Sequence, residues 1–168
     1  MRPDLSRVPP FYHGYINQVP EDDILKAFKN GSYSFIQFME NIPAEKRDYR
    51  YAEGKWTIKE VLQHIIDGER VFDYRALCFA RKDPAPLPGF DENIFAANAK
   101  ADRRNWNELM EEFKALRKSS EILFESFDEE QLNSEGVANN HKNYVLAFGY
   151  ILVGHSLHHM RIIKERYL

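Results

Sequence analysis

The chain has 168 residues, of which 43% are hydrophobic and 29% charged, with a formal net charge of −3. This length suits one domain with its own core, and the small net charge argues against a nucleic-acid or polybasic membrane surface. Cys78 is the only cysteine, and neither a signal peptide nor a membrane-spanning apolar run is evident. We therefore predict a cytoplasmic single domain over residues 1–168, with residues 1–20 as an N-terminal extension.

The first predicted helix spans residues 21–42. Three acidic residues follow Pro20, where negative charge suits the positive end of a helix dipole. Apolar residues then recur at intervals of three and four from Ile24 onwards, which is typical of a helix packed in a bundle. Pro43 ends this helix, and a polar loop follows.

The second predicted helix spans residues 57–79. It opens on the sequence TIKE, which is typical of a capping box between Thr57 and Glu60. The proline-rich segment of residues 81–97 follows and cannot begin as a helix. A loop of this length is usually functional or a crossover between helices.

The third and fourth predicted helices span residues 98–127 and 144–167. Residues 128–143 between them are predicted to form a loop, because neither a sustained alternation of apolar and polar residues nor an Asn-Gly turn is present. Four long amphipathic helices indicate an all-α protein. We predict an antiparallel four-helix bundle with an up-down core.

Three histidines lie within the sequence GHSLHHM of the last predicted helix. His155 and His159 fall on its apolar stripe one turn apart, a spacing that lets two imidazoles bind one metal ion. His158 is rotated by about 100° from His159 and is predicted not to be a ligand. On the second helix His64 offers a third imidazole, with Gly68 one turn later leaving space beside it. The sequence thus predicts a His₃ metal site with open coordination positions.

One alternative and one open question accompany this prediction. A histidine on an apolar stripe is often a core residue bonded to a carbonyl group, and Ser156 stands where a zinc protease would have its catalytic glutamate. A general base would therefore have to come from elsewhere. Glu60 is expected to act in the capping box and Asp91 either to reach the site or to cap the next turn, while Asp67 and Glu69 are expected to be solvated.

The stretch KWTIKEVLQHIIDGE, followed near the C-terminus by GHSLHHMRII, resembles the DinB/YfiT-like family of metal-dependent proteins. The resemblance covers nearly the whole chain. It implies a four-helix bundle in which His64, His155 and His159 hold a divalent metal. It also implies one of two activities, metal-dependent hydrolysis or transfer that depends on a low-molecular-weight thiol.

Two classes of function are compatible with these residues. In the first, a His₃-bound metal, with zinc or nickel favoured and iron as an alternative, activates water or a thiol toward a small-molecule substrate. A wall formed by Phe90, Asp91 and Phe95 would then select that substrate. In the second, the metal staples two helices of a non-catalytic interaction module. Aromatic residues outside the stripes, among them Tyr33, Phe79 and Phe148, together with the resemblance, indicate a homodimer.

Overall fold

The computed structural model describes residues 1–168. Helices predominate, and a single short hairpin supplies the only strands. In chain order the elements are α1 (Pro10–Ile16), α2 (Ile24–Glu40), α3 (Ile58–Ala80), α4 (Glu92–Ala99), α5 (Trp106–Glu125), α6 (Glu129–Asn133), β1 (Glu135–Ala138), β2 (His141–Tyr144) and α7 (Val145–Arg166). Single 3₁₀ turns occur at Leu5–Arg7, Ala44–Lys46 and Ala101–Arg103.

The four long helices α2, α3, α5 and α7 form a four-helix bundle, which confirms the predicted fold class. Both α5 and α7 pack against α2 and α3. Gln63 contacts Arg104 just before α5, and Asp73 contacts Ser120 near the end of α5, so α3 and α5 run parallel. The long connection of residues 81–105 allows this, because it can return along the length of α3 before α5 begins.

The other two helices run in the opposite direction. The Phe72 ring lies 6.0 Å from that of Phe148 near the start of α7, and Tyr167 at its end donates to the Trp56 carbonyl. Helix α7 is therefore antiparallel to α3. It is parallel to α2, whose Phe38 ring lies 5.0 Å from the amino group of Lys164. The order is up-down-down-up, which differs from the alternating order expected for an up-down core.

Side-chain caps define most of the helix starts. Thr57 and Glu60 form the predicted capping box at α3, and Asp23 and Asn105 cap α2 and α5. The third long helix begins later than predicted because residues 92–99 form the separate helix α4. Lys100 follows α4 in the left-handed conformation, with φ 52°, and this interrupts the helix.

Residues 128–143, predicted as a loop, contain α6 and most of an antiparallel hairpin. The prediction that the chain has no strands is therefore wrong. Strands β1 and β2 pair from Glu135 with Tyr144 to Ala138 with His141. The turn is made by Asn139 and Asn140, both with positive φ, a conformation that asparagine tolerates better than most residues. An Asn-Asn pair is a weaker signal than Asn-Gly, which explains why the hairpin was missed.

The N-terminal 20 residues contribute to the core. Helix α1 packs against α7, and Val8, Ile16 and Val19 are buried. Helix α7 is consequently covered on nearly every side over its first three turns, since α1, α2 and α3 surround it. This explains why its sequence is apolar all round near the histidines.

Two of the three aromatic residues on which the predicted homodimer rested are buried. Phe79 and Phe148 are each 1% exposed, whereas Tyr33 is 70% exposed. The homodimer stays a prediction, which these two residues no longer support. None of the helices combines the length and the apolar character that crossing a membrane requires.

Candidate metal centre

Helices α3 and α7 bring the three predicted ligands together. His155 Nε2 lies 2.9 Å from His64 Nε2 and 3.0 Å from His159 Nε2. The three ligand atoms all lie within 4.8 Å of one another. Nitrogens bound to one zinc ion at about 2.0–2.1 Å are separated by about 3 Å, so this donor set fits a transition metal.

Burial keeps the three imidazoles neutral. It lowers the pKa of His64 to about 4 and that of His159 to about 3, with neighbouring histidines adding to the effect at His159. His155, 5% exposed, has its pKa lowered well below the usual value by burial and then by His159 and His64. Neutral imidazoles carry the free lone pair that a metal needs.

The alternative of core histidines bonded to carbonyl groups does not describe this cluster. The only partners at hydrogen-bond distance of His64, His155 and His159 are one another. By contrast, His13 on α1 has its Nε2 2.9 Å from the Val8 carbonyl oxygen, which is the arrangement expected of a structural histidine. The cluster therefore differs from a structural histidine of that kind.

A cavity of about 390 Å³ opens beside the three histidines. The ring of Trp56 lies 4.8 Å from His64, and that of Tyr15 lies 5.4 Å from His155. Arg75, Glu92 and Asn139 are the other polar residues of the lining. Its aromatic wall consists of Phe11, Tyr12, Tyr15, Trp56, Phe72 and Phe90.

The proline-rich segment reaches the cavity, but through different residues from those predicted. Asp91 caps α4 by accepting from the amides of Asn93 and Ile94, and so takes the second of its two expected roles. Its neighbours Phe90 and Glu92 line the cavity instead. Phe95 packs against Phe90 and is 41% exposed, outside the lining.

The other sequence candidates are not part of the histidine cluster. His158 is half-buried, with its ring 5.1 Å from that of Tyr15, and is not among the three grouped ligands. Asp67 is half-buried and accepts a hydrogen bond from Gln63. Glu69 was expected to be solvated, but it is buried and paired with Arg117, because α5 packs directly over this face of α3.

Several cavity residues were absent from the sequence prediction, among them Arg75, Glu92, Tyr12 and Tyr15. Arg75 follows His64 by eleven residues, which is close to three helical turns, so the period of α3 could have indicated it. Glu92 lies next to the predicted Asp91. Tyr12 and Tyr15 carried no local signal, because their position depends on how α1 docks against α7.

Comparison with known proteins identifies the family of this chain. The family model of the DinB superfamily matches residues 27–163. The chain belongs to the DinB superfamily. No curated protein matches its sequence.

The fold is similar to that of YfiT from Bacillus subtilis, with a TM-score of 0.72 over 87% of this chain and 89% of that one. YfiT is described as a probable metal-dependent hydrolase with an unusual four-helix bundle topology. The two sequences are 16% identical, so the likeness shows the shared fold.

Proposed function

We propose that this DinB superfamily protein is a metal-dependent enzyme whose divalent transition metal is held by His64, His155 and His159. The convergence of three neutral imidazoles, one buried and two half-buried, at the edge of a cavity carries the proposal. When bound, the metal would supply Lewis acidity, which lowers the pKa of water or a thiol toward neutrality. Zinc and nickel are the first candidates, with iron next.

The cavity favours an enzyme over a metal-stapled interaction module. Structural zinc sites usually have four protein ligands and often include cysteine. Here the three histidines face a space large enough for a small molecule, and Cys78, the only cysteine, is not part of the cluster. Three ligands beside such a space leave room for a substrate.

The residues that line the cavity have two proposed roles, substrate binding and proton transfer. The aromatic rings exclude water and hold an apolar part of a substrate. Glu92 is the only carboxylate in the lining, and its negative charge acts on His64 and Tyr15. We propose Glu92 as the group that accepts a proton from the nucleophile. Hydrolysis and thiol transfer differ in whether that nucleophile is water or a low-molecular-weight thiol.

Metal binding by the untagged protein tests the proposal. We expect metal analysis to find about one zinc or nickel ion per chain, and calorimetric titration of the metal-free protein with zinc to show one site. His64→Ala should weaken zinc binding by roughly a hundredfold or more, since loss of even an outer-shell partner costs 10- to 100-fold. His158→Ala is the matched control and should bind zinc like the wild type.

A different pattern would overturn the assignment. If His158→Ala loses zinc binding and His155→Ala retains it, the ligands have been assigned to the wrong face of α7. If the wild type binds neither zinc nor nickel, the metal-dependent function fails and the interaction module becomes the better hypothesis. Folding of each variant is checked by far-UV circular dichroism.

A further inference from the structure

Arg75 is a buried cation without an acidic partner at the wall of the histidine cavity. Its residue is 3% exposed, and no carboxylate oxygen lies within 4.0 Å of its guanidinium. By contrast, the other fully buried arginine, Arg117, is paired with Glu69. A buried charge without a counter-ion is costly, so its presence beside a cavity calls for an explanation.

The local contacts of Arg75 use only part of its hydrogen-bonding capacity. One Nη2 proton is donated to the Pro88 carbonyl at 2.9 Å, which leaves most of its five N–H donors without a carbonyl or carboxylate acceptor. The Phe72 and Phe90 rings lie 5.6 and 5.8 Å from the guanidinium carbon. Burial lowers the pKa of Arg75, opposed by the neighbouring Tyr12 hydroxyl, and a bound anion would reverse that shift.

The same face of α3 carries Arg75 and the candidate metal ligand. His64, Gly68, Phe72 and Arg75 follow one another at intervals of four, four and three residues, and all four line the cavity. The Cα atoms of His64 and Arg75 are separated by roughly 16 Å along the helix axis.

We propose that the cavity binds small molecules that carry a carboxylate group, with Arg75 as the anchor for that group. The planar guanidinium presents paired donors that match a carboxylate. The apolar body of the ligand lies between the aromatic rings, and its far end extends toward the histidine cluster. That last orientation rests on the proposed metal function, whereas the carboxylate preference does not.

A matched pair of ligands tests the carboxylate preference. The probes are 3-phenylpropanoate and its neutral amide, 3-phenylpropanamide, titrated against zinc-free and zinc-loaded protein by ligand-observed NMR. We expect the wild type to bind the carboxylate about tenfold or more tightly than the amide, because a charge-assisted hydrogen bond is lost with the amide. This preference should appear in both forms of the protein.

Two arginine variants locate the source of the preference. Arg75→Gln should reduce the ratio of the two affinities to near one, and Arg75→Lys should retain part of it, since lysine keeps the charge but not the planar fork. Arg81→Gln is the control, because Arg81 is exposed at the end of the same helix and outside the cavity. It should leave the ratio unchanged.

The outcomes separate this proposal from its alternatives. If Arg75 only holds the segment of Pro88 in place, Arg75→Gln will weaken both probes equally, and the proposal is wrong. If the preference requires zinc, survives in Arg75→Gln and is lost in His64→Ala, the carboxylate binds the metal instead. An equal affinity of the wild type for both probes also overturns the proposed role of Arg75. Failure of the wild type to bind zinc refutes the metal function alone, because the zinc-free titration still tests Arg75.

Discussion

Ser120 lies between the buried carboxyl group of Glu69 and the half-buried one of Asp73. Its Oγ is 2.7 Å from Glu69 Oε1 and 2.7 Å from Asp73 Oδ2, yet a hydroxyl has one proton to donate. Arg117 donates to both oxygens of Glu69 at 2.8 Å, so this carboxylate already accepts two charge-assisted hydrogen bonds. Protonation of Asp73 supplies the second proton, which its acid form donates to Ser120. Burial, and then the charge of Glu69, raise the pKa of Asp73 to about 7.

This raised pKa predicts a specific pH dependence of stability. The native state holds the Asp73 proton up to a pH of about 7, whereas the unfolded chain releases it near 3.8. The stabilisation is complete below 3.8 and is lost as the pH rises through 7. Relative to Asp73→Asn, the wild type should lose about 2–3 kcal/mol of unfolding free energy between pH 5 and pH 8. Urea unfolding of both proteins at the two pH values measures this difference. If the stabilities of the wild type and Asp73→Asn change equally with pH, the proton is not held by Asp73.

At the scale of elements, α1 is positioned by a glycine of α7. A Cβ atom on Gly154 would lie 2.1 Å from the Tyr15 carbonyl oxygen, so the α1 backbone rests directly on α7. This contact brings the Tyr12 ring to 5.8 Å from Phe72 and the Tyr15 ring to 5.4 Å from His155. The close approach of two helices therefore forms one wall of the cavity.

Substitution of this glycine should separate the two helices. Gly154→Ala is expected to lower the free energy of unfolding by about 1–3 kcal/mol, because the clashing atoms are backbone and cannot rotate away. Gly14→Ala on α1 is the control, since a Cβ there meets nothing within 4 Å, and it should stabilise the protein by about 0.5–1 kcal/mol. Chemical unfolding of both variants makes the comparison. If the two substitutions change the free energy of unfolding equally, α1 moves away from α7 without an energetic cost.

At the scale of the whole molecule, one ion pair joins three of the four long helices. Glu69 of α3 and Arg117 of α5 are each 1% exposed, and Arg117 also approaches the Leu152 carbonyl of α7 at 3.4 Å. The rings of Phe28 and Phe113 lie within 5.7 Å of its guanidinium carbon. A charge pair in the centre of the bundle specifies how α3 and α5 face each other, because any other register would leave both charges unpaired.

Removal of one member of this pair should be more damaging than removal of both. Arg117→Met is expected to lower the free energy of unfolding by about 3–5 kcal/mol, since it leaves the Glu69 charge buried alone. The double variant with Glu69→Met should recover most of this loss. Arg70→Met, which breaks the partly exposed pair with Glu112, is the control and should cost less than about 1 kcal/mol. Urea unfolding measures all three, and a double variant as unstable as Arg117→Met would contradict this account.

Local chemistry determined the helices and the candidate site. Apolar residues at intervals of three and four identify a helix in any compact fold, and the capping box at Thr57 needs only its own turn. The spacing of His155 and His159 selects one helix face before any tertiary contact exists. His64 could be added because its own position on α3 follows from the same period.

Tertiary structure decided the features that depend on a partner distant in sequence. The parallel course of α3 and α5 depends on how the connection of residues 81–105 returns along the bundle. Glu69 looks like a solvated carboxylate in sequence, and only the approach of Arg117 makes its burial favourable. Arg75 and Tyr15 likewise reach the cavity only when their helices pack beside α7. Helical period specifies which face a residue occupies, but packing specifies what that face meets, and the walls of the cavity depend on the second.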